Sequence, residues 1–242
     1  MKKLVLALAP LCLAATAGAA TVTVAGAGGD FTNIADAIVG TASGDTIVVT
    51  DQGVYGAFAF SDRNIVSTPP GASITATVVV QGGAGSSATI DGFTFANIAN
   101  AIFLNGDGST AGTLTVANCS FTNINNHGIL LNGGEDGTLL VNNSTFDSVG
   151  ENGITLFRNA TLEVTGSSFS NCGLGVGGHG AIFVDGSLSN ATGRVITVDD
   201  TDISGCLYGI RTFRRTQLSL LNDSTVSNSI LDGLFVDGEA AG

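Results

Sequence analysis

The chain has 242 residues, a hydrophobic fraction of 44% and a formal net charge of −12 at pH 7. A strongly acidic surface repels phosphate backbones, so this balance disfavours a nucleic-acid-binding role. Only 12% of residues are charged and 35 are glycine, a composition that suits one stacked domain with a polar, largely uncharged surface.

The beginning of the chain, residues 1–20, predicts a secretory signal peptide. Lys2 and Lys3 form a basic start, an apolar run extends from Leu4 to Ala15, and small residues follow. The apolar run is too short to remain as a membrane span. We therefore expect a bacterial protein that is secreted or displayed at the cell surface, with no membrane-spanning segment.

An N-terminal cap and first coil are predicted over residues 21–60. Apolar residues recur at helical spacing up to Ile38, after an N-cap at Asp30 or Thr32, and Gly40 ends the helix. A β-branched strand and a turn follow. A short amphipathic helix at this place suits the open end of a stack of coils.

One pattern recurs from Phe95 onward: an apolar strand, a large apolar residue, a bend residue two places later, and a second strand. The aligned large residues, which should point inward, are Phe95, Phe121, Phe146, Phe169, Ile203 and Val226. The aligned bend residues are Asn97, Asn123, Ser148, Asn171, Gly205 and Asn228. Asn and Gly tolerate left-handed backbone conformations. The pattern therefore predicts coils stacked along one axis over residues 61–242, incomplete at the C-terminus.

The stretch from Phe31 to Tyr55 resembles the N-terminal cap and first coil of right-handed parallel β-helix proteins, the pectin-lyase-like superfamily. In that group a helix rich in Ala and Ile precedes a strand of the form GD-T-I-x-V, found here at 44–49, and a G-x-Y, found at 53–55. The later coils are similar to the group's generic repeat. The resemblance implies an all-β fold, a single-stranded right-handed parallel β-helix solenoid with a short N-terminal capping helix.

Three cysteines follow the signal peptide, at Cys119, Cys172 and Cys206. The repeat alignment places Cys172 and Cys206 directly over one another in neighbouring coils. A buried stack of small apolar side chains is one interpretation. A disulfide between the two coils is the alternative, because rungs about 4.8 Å apart fall near the geometric window for one.

A candidate catalytic set contains His179, Asp199, Asp200 and Arg211. In β-helix polygalacturonases an adjacent Asp pair, a Gly-His-Gly and an Arg-containing strand cooperate in hydrolysis, and this chain has a similar Gly-His-Gly at 178–180. The Asp pair follows the Gly-His-Gly here, whereas it precedes it in that family. The alternative is a group of solvated polar residues, with Arg211 on a different face from the aspartates.

A candidate ligand-binding rung contains Arg158, Asp185 and Arg214. The repeat alignment places these outward side chains at one level in three successive coils. Surface ion pairs are one interpretation, and an anionic sugar held across the two arginines is the other.

A candidate cation site contains Asp107, Glu135 and Asp136, which follow second strands in Gly-rich turns. Oxygen-rich loops of this kind can bind Ca²⁺, and ordinary turn chemistry is the alternative. No other cofactor is expected.

The resemblance implies a carbohydrate ligand, and the incomplete catalytic sets argue against turnover of that ligand. We therefore expect an exported binding or structural module that contacts extracellular polysaccharide. A polysaccharide lyase or glycoside hydrolase of the same superfamily is one alternative, and a fragment of a larger surface adhesin is another.

Overall fold

The chain folds into a parallel β-helix, a solenoid in which each coil contributes one strand to each of three sheets. The computed structural model describes residues 18–83, 85–106, 112–132, 137–157, 160–175, 179–185, 194–214 and 216–237. Strands are numbered in chain order. From β2 onward, successive strands join in turn the sheets called here I, II and III, and β1 joins sheet I beside β2.

All strand pairs within the three sheets are parallel. Sheet I contains, in spatial order, β1 (Thr21–Val24), β2 (Thr46–Val49), β5 (Asn64–Ser67), β8 (Ser87–Asp91), β11 (Thr113–Ala117), β14 (Gly137–Asn142), β17 (Ala160–Thr165), β20 (Arg194–Asp199) and β23 (Thr216–Leu221). Sheet II contains β3 (Val54–Tyr55), β6 (Ala72–Ile74), β9 (Phe93–Ala96), β12 (Ser120–Ile124), β15 (Thr145–Val149), β18 (Ser168–Ser170), β21 (Asp202–Ser204) and β24 (Thr225–Ser227). Sheet III contains β4 (Phe58–Phe60), β7 (Val78–Gly82), β10 (Ile102–Gly106), β13 (His127–Asn132), β16 (Asn152–Phe157), β19 (Gly180–Asp185), β22 (Ile210–Phe213) and β25 (Leu234–Asp237).

A short helix, α1 (Ile34–Gly40), packs its buried side chains into the core near the first strands. Its N-cap is Asn33, whose side-chain oxygen accepts from the Asp36 amide at 2.8 Å. The predicted caps Asp30 and Thr32 were therefore wrong, because Asp30 instead accepts hydrogen bonds from strand β1. With 7 residues, α1 is far too short to cross a bilayer, and the described ranges contain no other helix.

The inward ladder predicted from the repeats is confirmed by the strand register. Phe95, Phe121, Phe146 and Phe169 lie one above another on β9, β12, β15 and β18. Neighbouring ring centroids are 4.9, 4.4 and 4.5 Å apart, and the rings are nearly parallel. All four side chains are buried, so the aromatic stack forms a central column of the core.

Left-handed residues make two corners of each coil from Gly92 onward. The predicted bend between sheets II and III is confirmed, since its ladder has φ values between 51° and 62° at Asn97, Asn123, Ser148, Asn171, Gly205 and Asn228. A second ladder, absent from the sequence prediction, turns the chain between sheets I and II with positive φ at Gly92, Asn118, Asn143, Gly166, Asp200 and Asn222. The residues with left-handed backbone are therefore stacked in two columns along the solenoid axis.

Buried hydroxyl groups connect the coils beside the corner between sheets I and II. The Ser144 amide donates to Ser167 Oγ at 3.1 Å, and the Ser167 amide donates to Thr201 Oγ1 at 3.3 Å. Each hydroxyl in turn donates to the carbonyl two residues earlier. This ladder satisfies buried polar groups that the strand hydrogen bonds do not reach.

The three cysteines that the structure describes, Cys119, Cys172 and Cys206, are buried free thiols, which agrees with the interpretation as a small apolar stack. The Cys172 amide lies 3.4 Å from Cys206 Sγ, so the two residues occupy neighbouring coils as predicted. Burial raises the pKa of the Cys119 thiol to about 12. Cys119 is therefore protonated at neutral pH and unsuited to nucleophilic chemistry.

Candidate functional site

Strand alternation presents Arg211 on the outer face of sheet III. In β22 the flanking residues Ile210 and Thr212 are buried, so the side chain between them points outward. The register aligns Arg211 with Phe183 of β19 and Phe235 of β25. This column of outward side chains is the centre of the candidate site.

The Arg211 guanidinium lies among three aromatic rings. Its central carbon is 4.8, 4.7 and 5.1 Å from the ring centroids of Tyr208, Phe213 and Phe235. Contacts of this type are worth roughly 0.5–2 kcal/mol each, depending on how far the cation is desolvated. Arg211 Nε is buried and has no hydrogen-bond partner within the described residues. The three rings therefore contact the guanidinium without accepting hydrogen bonds in its plane, and the Nε–H donor has no partner among the described residues.

Arg211 also contacts His179 directly, with 2.8 Å between Nη1 and Nδ1. A guanidinium has no acceptor, so the imidazole Nδ1 must accept this hydrogen bond. The His179 ring is therefore neutral in this arrangement, and its proton is on Nε2.

The surroundings of His179 fix its position. Its ring stacks on Phe183 with a centroid distance of 4.3 Å. Its amide donates to the Glu151 carbonyl at 3.1 Å and lies 3.2 Å from Asn152 Oδ1. Burial, and next the positive charge of Arg211, lower the pKa of His179, although nearby carboxylates act in the opposite direction. The electrostatics thus favour the same neutral ring that the hydrogen bond requires.

The other histidine, His127 of β13, lies on the same face and has both ring nitrogens engaged. Nε2 is 3.1 Å from Glu151 Oε2, and Nδ1 is 3.0 Å from Thr155 Oγ1. Burial lowers the pKa of His127, and the Glu151 carboxylate partly offsets that effect. At neutral pH the contact with Glu151 is therefore a hydrogen bond from a neutral ring. Thr155 is fully buried, so its hydroxyl positions His127 and is not available to a ligand.

A groove of about 340 Å³ lies beside the pair formed by His179 and Arg211. It is lined by His179, Phe183, Asp185, Phe213, Arg214 and Asp237. Its wall therefore offers aromatic faces, a neutral hydrogen-bonding ring and charges of both signs within one concave surface.

The predicted rung of Arg158, Asp185 and Arg214 needs a correction. Asp185 is aligned with Phe157 and Phe213, so the repeat alignment was wrong by one residue. Arg214 follows the end of β22 with a φ of 51°, and a left-handed residue does not continue the alternation of the strand. Asp185 and Arg214 nevertheless line the same groove, whereas Arg158 lies outside the described residues. A ligand-binding role for the three residues stays a prediction.

The predicted catalytic set is divided between two regions of the solenoid. Asp199 ends β20 in sheet I and accepts a hydrogen bond from the Asn222 side chain of the next coil. Asp200 has a φ of 45° at the corner between sheets I and II. His179 and Arg211, by contrast, lie on the outer face of sheet III. Of the four residues, the structure joins His179 with Arg211 and separates both from the two aspartates.

The predicted cation ligands Asp107, Glu135 and Asp136 lie outside the described residues, so Ca²⁺ binding stays a prediction. In the ranges that the structure does describe, no group of three or more His, Cys, Asp or Glu side chains could hold a metal ion.

The sequence prediction missed the aromatic surround of Arg211 and the hydrogen bonds between His127, Glu151 and Thr155. The aromatic surround of Arg211 could have been predicted from the alternation of inward and outward residues in the strands of sheet III. Residues that follow the inward Ile182, Ile210 and Leu234 are all large and outward, and they align across three coils. The hydrogen bonds of His127 with Glu151 and Thr155 depend on side-chain conformations, for which the sequence carries no periodic signal.

Comparison with known proteins agrees with this architecture. Residues 76–241 match the family model described as a right handed beta helix region. The chain belongs to this family. Among solved structures, the β-helix is similar to an arginine-to-alanine mutant of the PL6 family alginate lyase AlyGC, with a TM-score of 0.51 and 12% sequence identity. That match covers 90% of this chain and 40% of the other. No curated protein matches the chain.

The similarity to the lyase concerns the fold alone, because folds of this kind carry many activities on different sites. The present chain also spans less than half of the length of that structure.

Proposed function

We propose that this chain is an exported β-helix module that binds extracellular polysaccharide through the outer face of sheet III, without turnover. The observation that carries the proposal is the 2.8 Å contact between Arg211 Nη1 and His179 Nδ1 beside a groove of about 340 Å³. It fixes a guanidinium and an imidazole donor next to aromatic faces on a rigid sheet.

The chemistry of the groove suits a sugar chain. Sugar rings present apolar faces and hydroxyl edges, and the groove offers Phe213 for the first and the His179 Nε2–H for the second. The guanidinium of Arg211 adds donors that match a carboxylate. The similar β-helix is named as an alginate lyase, and alginate is an acidic polysaccharide. A uronate-containing polymer is therefore the first ligand to test.

Binding without turnover is favoured by the state of the two histidines. His179 accepts from Arg211 through Nδ1, so the ring exposes a donor and no free lone pair for proton abstraction. Both nitrogens of His127 are also occupied. Hydrolysis by paired carboxylates needs two acids facing one bond, and Asp199 and Asp200 lie at another corner of the solenoid.

A polysaccharide lyase acting at the same groove is the second candidate. The direct contact of an arginine with a histidine at the rim favours it, because β-elimination needs one group to remove a proton and another to stabilise developing charge. This candidate requires the contact between Arg211 and His179 to open when substrate binds.

Calorimetric titration of the purified protein with alginate, polygalacturonate and neutral dextran, with and without Ca²⁺, tests the proposal. We expect binding of the uronate polymers, and a loss of affinity of about tenfold or more in Arg211→Ala. Asp202→Ala is the matched control, since Asp202 is exposed on sheet II. Equal binding by Arg211→Ala and the wild type would contradict the proposed site.

Turnover is measured in the same mixtures from ultraviolet absorbance of unsaturated products and from new reducing ends. We expect neither signal to rise. Product formation that is lost in Arg211→Ala would establish the lyase instead, whereas loss in Asp200→Ala would point to the paired aspartates.

A further inference from the structure

His179 and Arg211 form a hydrogen bond that exists in one protonation state only. Arg211 can only donate, so the bond of 2.8 Å requires a bare Nδ1 on His179. A proton on Nδ1 would place two donors and two positive charges against each other at that distance. The bond is therefore lost when the imidazole becomes charged.

We propose that His179 is a proton-operated latch on Arg211, so that acidification frees the guanidinium and strengthens the binding of anionic polysaccharide at this face. The inference rests on the proposed function and adds its regulation. At neutral pH the latch holds Arg211 against the rings of Tyr208, Phe213 and Phe235. In acid, both Arg211 and the imidazolium become available to carboxylates of the ligand.

The charged surroundings support the direction of the effect. The titratable and charged groups that face His179 from the described elements are His127 of β13, Glu151 before β16, Asp185 of β19, Arg211 of β22, Arg214 after β22 and Asp237 of β25. The carboxylates outnumber the guanidiniums in this group, so an anionic polymer binds this face less tightly while both histidines are neutral. Protonation of the two imidazoles reverses that balance.

The two histidines should contribute unequally. His127 lies 3.1 Å from the Glu151 carboxylate, so the charge it gains in acid is neutralised locally. The His179 ring contacts the Arg211 guanidinium instead of a carboxylate. The positive charge that His179 gains in acid is therefore available to the ligand. Burial and the Arg211 charge hold the pKa of His179 below its ordinary value, so the transition falls on the acid side of neutrality, where uronate carboxylates are still ionised.

The test is a calorimetric titration with alginate at about pH 7.5 and about pH 5, on either side of an ordinary histidine pKa. We expect the Kd of the wild type to fall about tenfold in acid, and the affinity of His179→Asn to stay constant. Asn offers an oxygen that can accept from Arg211 and has no titratable proton. His127→Asn is the control and should keep most of the acid response. Neutral dextran should show no response.

A measurement on the wild type keeps the test independent of the variants. In an NMR titration, the Arg211 side-chain resonances should shift with the same midpoint as the His179 ring, and saturating alginate should raise that midpoint. Binding with equal affinity at both pH values, a full acid response in His179→Asn, or an Arg211 signal indifferent to His179 would each overturn the latch while leaving the binding face intact. Absence of binding at both pH values would overturn the proposed function and the latch together.

Discussion

Replacing Phe146 with Ala tests whether the aromatic column carries the stability of the solenoid. The Phe146 ring is 1% exposed and is stacked between Phe121 and Phe169 at centroid distances of 4.4 and 4.5 Å. Truncation of a fully buried Phe costs about 3–5 kcal/mol through lost transfer energy and the remaining cavity. Each stacked pair contributes about 0.5–1.5 kcal/mol beyond burial. We therefore expect Phe146→Ala to lower the free energy of unfolding by about 4–5 kcal/mol, the upper half of the range for a buried Phe.

Two further variants separate ring stacking from volume. Phe146→Leu keeps most of the apolar volume and loses both ring contacts, so it should destabilise the protein by about 1–3 kcal/mol. Phe103→Ala is the matched control, since Phe103 is a partly exposed outward residue of β10. It should cost less than about 1.5 kcal/mol.

Urea unfolding followed by circular dichroism gives the free energy of unfolding for each variant. Hydrogen exchange should locate the loss in β12, β15 and β18, because coils of a solenoid interact mainly with their neighbours. A Phe146→Ala variant no less stable than Phe103→Ala would refute the reasoning, as would a Phe146→Leu variant equal to the wild type.

Substitutions at three other positions probe the corners and the cap by the same unfolding measurement. Asn123 has a φ of 53°, so Asn123→Ala should cost about 1–2 kcal/mol, whereas Asn123→Gly should be nearly neutral. Ser167→Ala leaves the buried Ser144 amide without its acceptor and should cost about 1–3 kcal/mol. Hydrogen bonds from the Gly26 amide and then from Tyr55 lower the pKa of Asp51, so its carboxylate stabilises the fold above the unfolded pKa. That stability is lost as pH falls through the lower folded pKa, and Asp51→Asn should flatten this acid dependence.

The core and one corner of the coil were predictable from the sequence because a large apolar residue and a bend residue two places later recur together in every aligned coil. A large apolar residue followed by a left-handed residue two places later marks sheet II and its exit in every aligned coil. The corner between sheets I and II carries a similar signal, since Asn118 and Asn143 follow the buried Val116 and Val141 by two places, and the sequence prediction did not include it. The helix cap at Asn33 was missed because Asp30 and Thr32 are also of residue types that are preferred at helix N-caps.

The site was predicted less well because a shift of one residue exchanges the two faces of a strand. Arg214 was aligned with Asp185, although the strand register aligns Phe213 there. Asp199 and Asp200 were grouped with His179 because of the resemblance to β-helix polygalacturonases, although the repeat alignment already offered the alternative that Arg211 lies on a different face from the aspartates. Arg211 was identified as outward because it lies between two inward residues.

The arrangement of the face follows from the coil lengths. The coil between Phe169 and Ile203 is longer than its neighbours, and within it His179 lies between Glu151 of the preceding coil and Arg211 of the following one. Three coils therefore each supply part of one site, held at the spacing of the β-ladder, about 4.8 Å. Since the site residues point away from the Phe column, substitutions at His179 or Arg211 should change binding more than the free energy of unfolding.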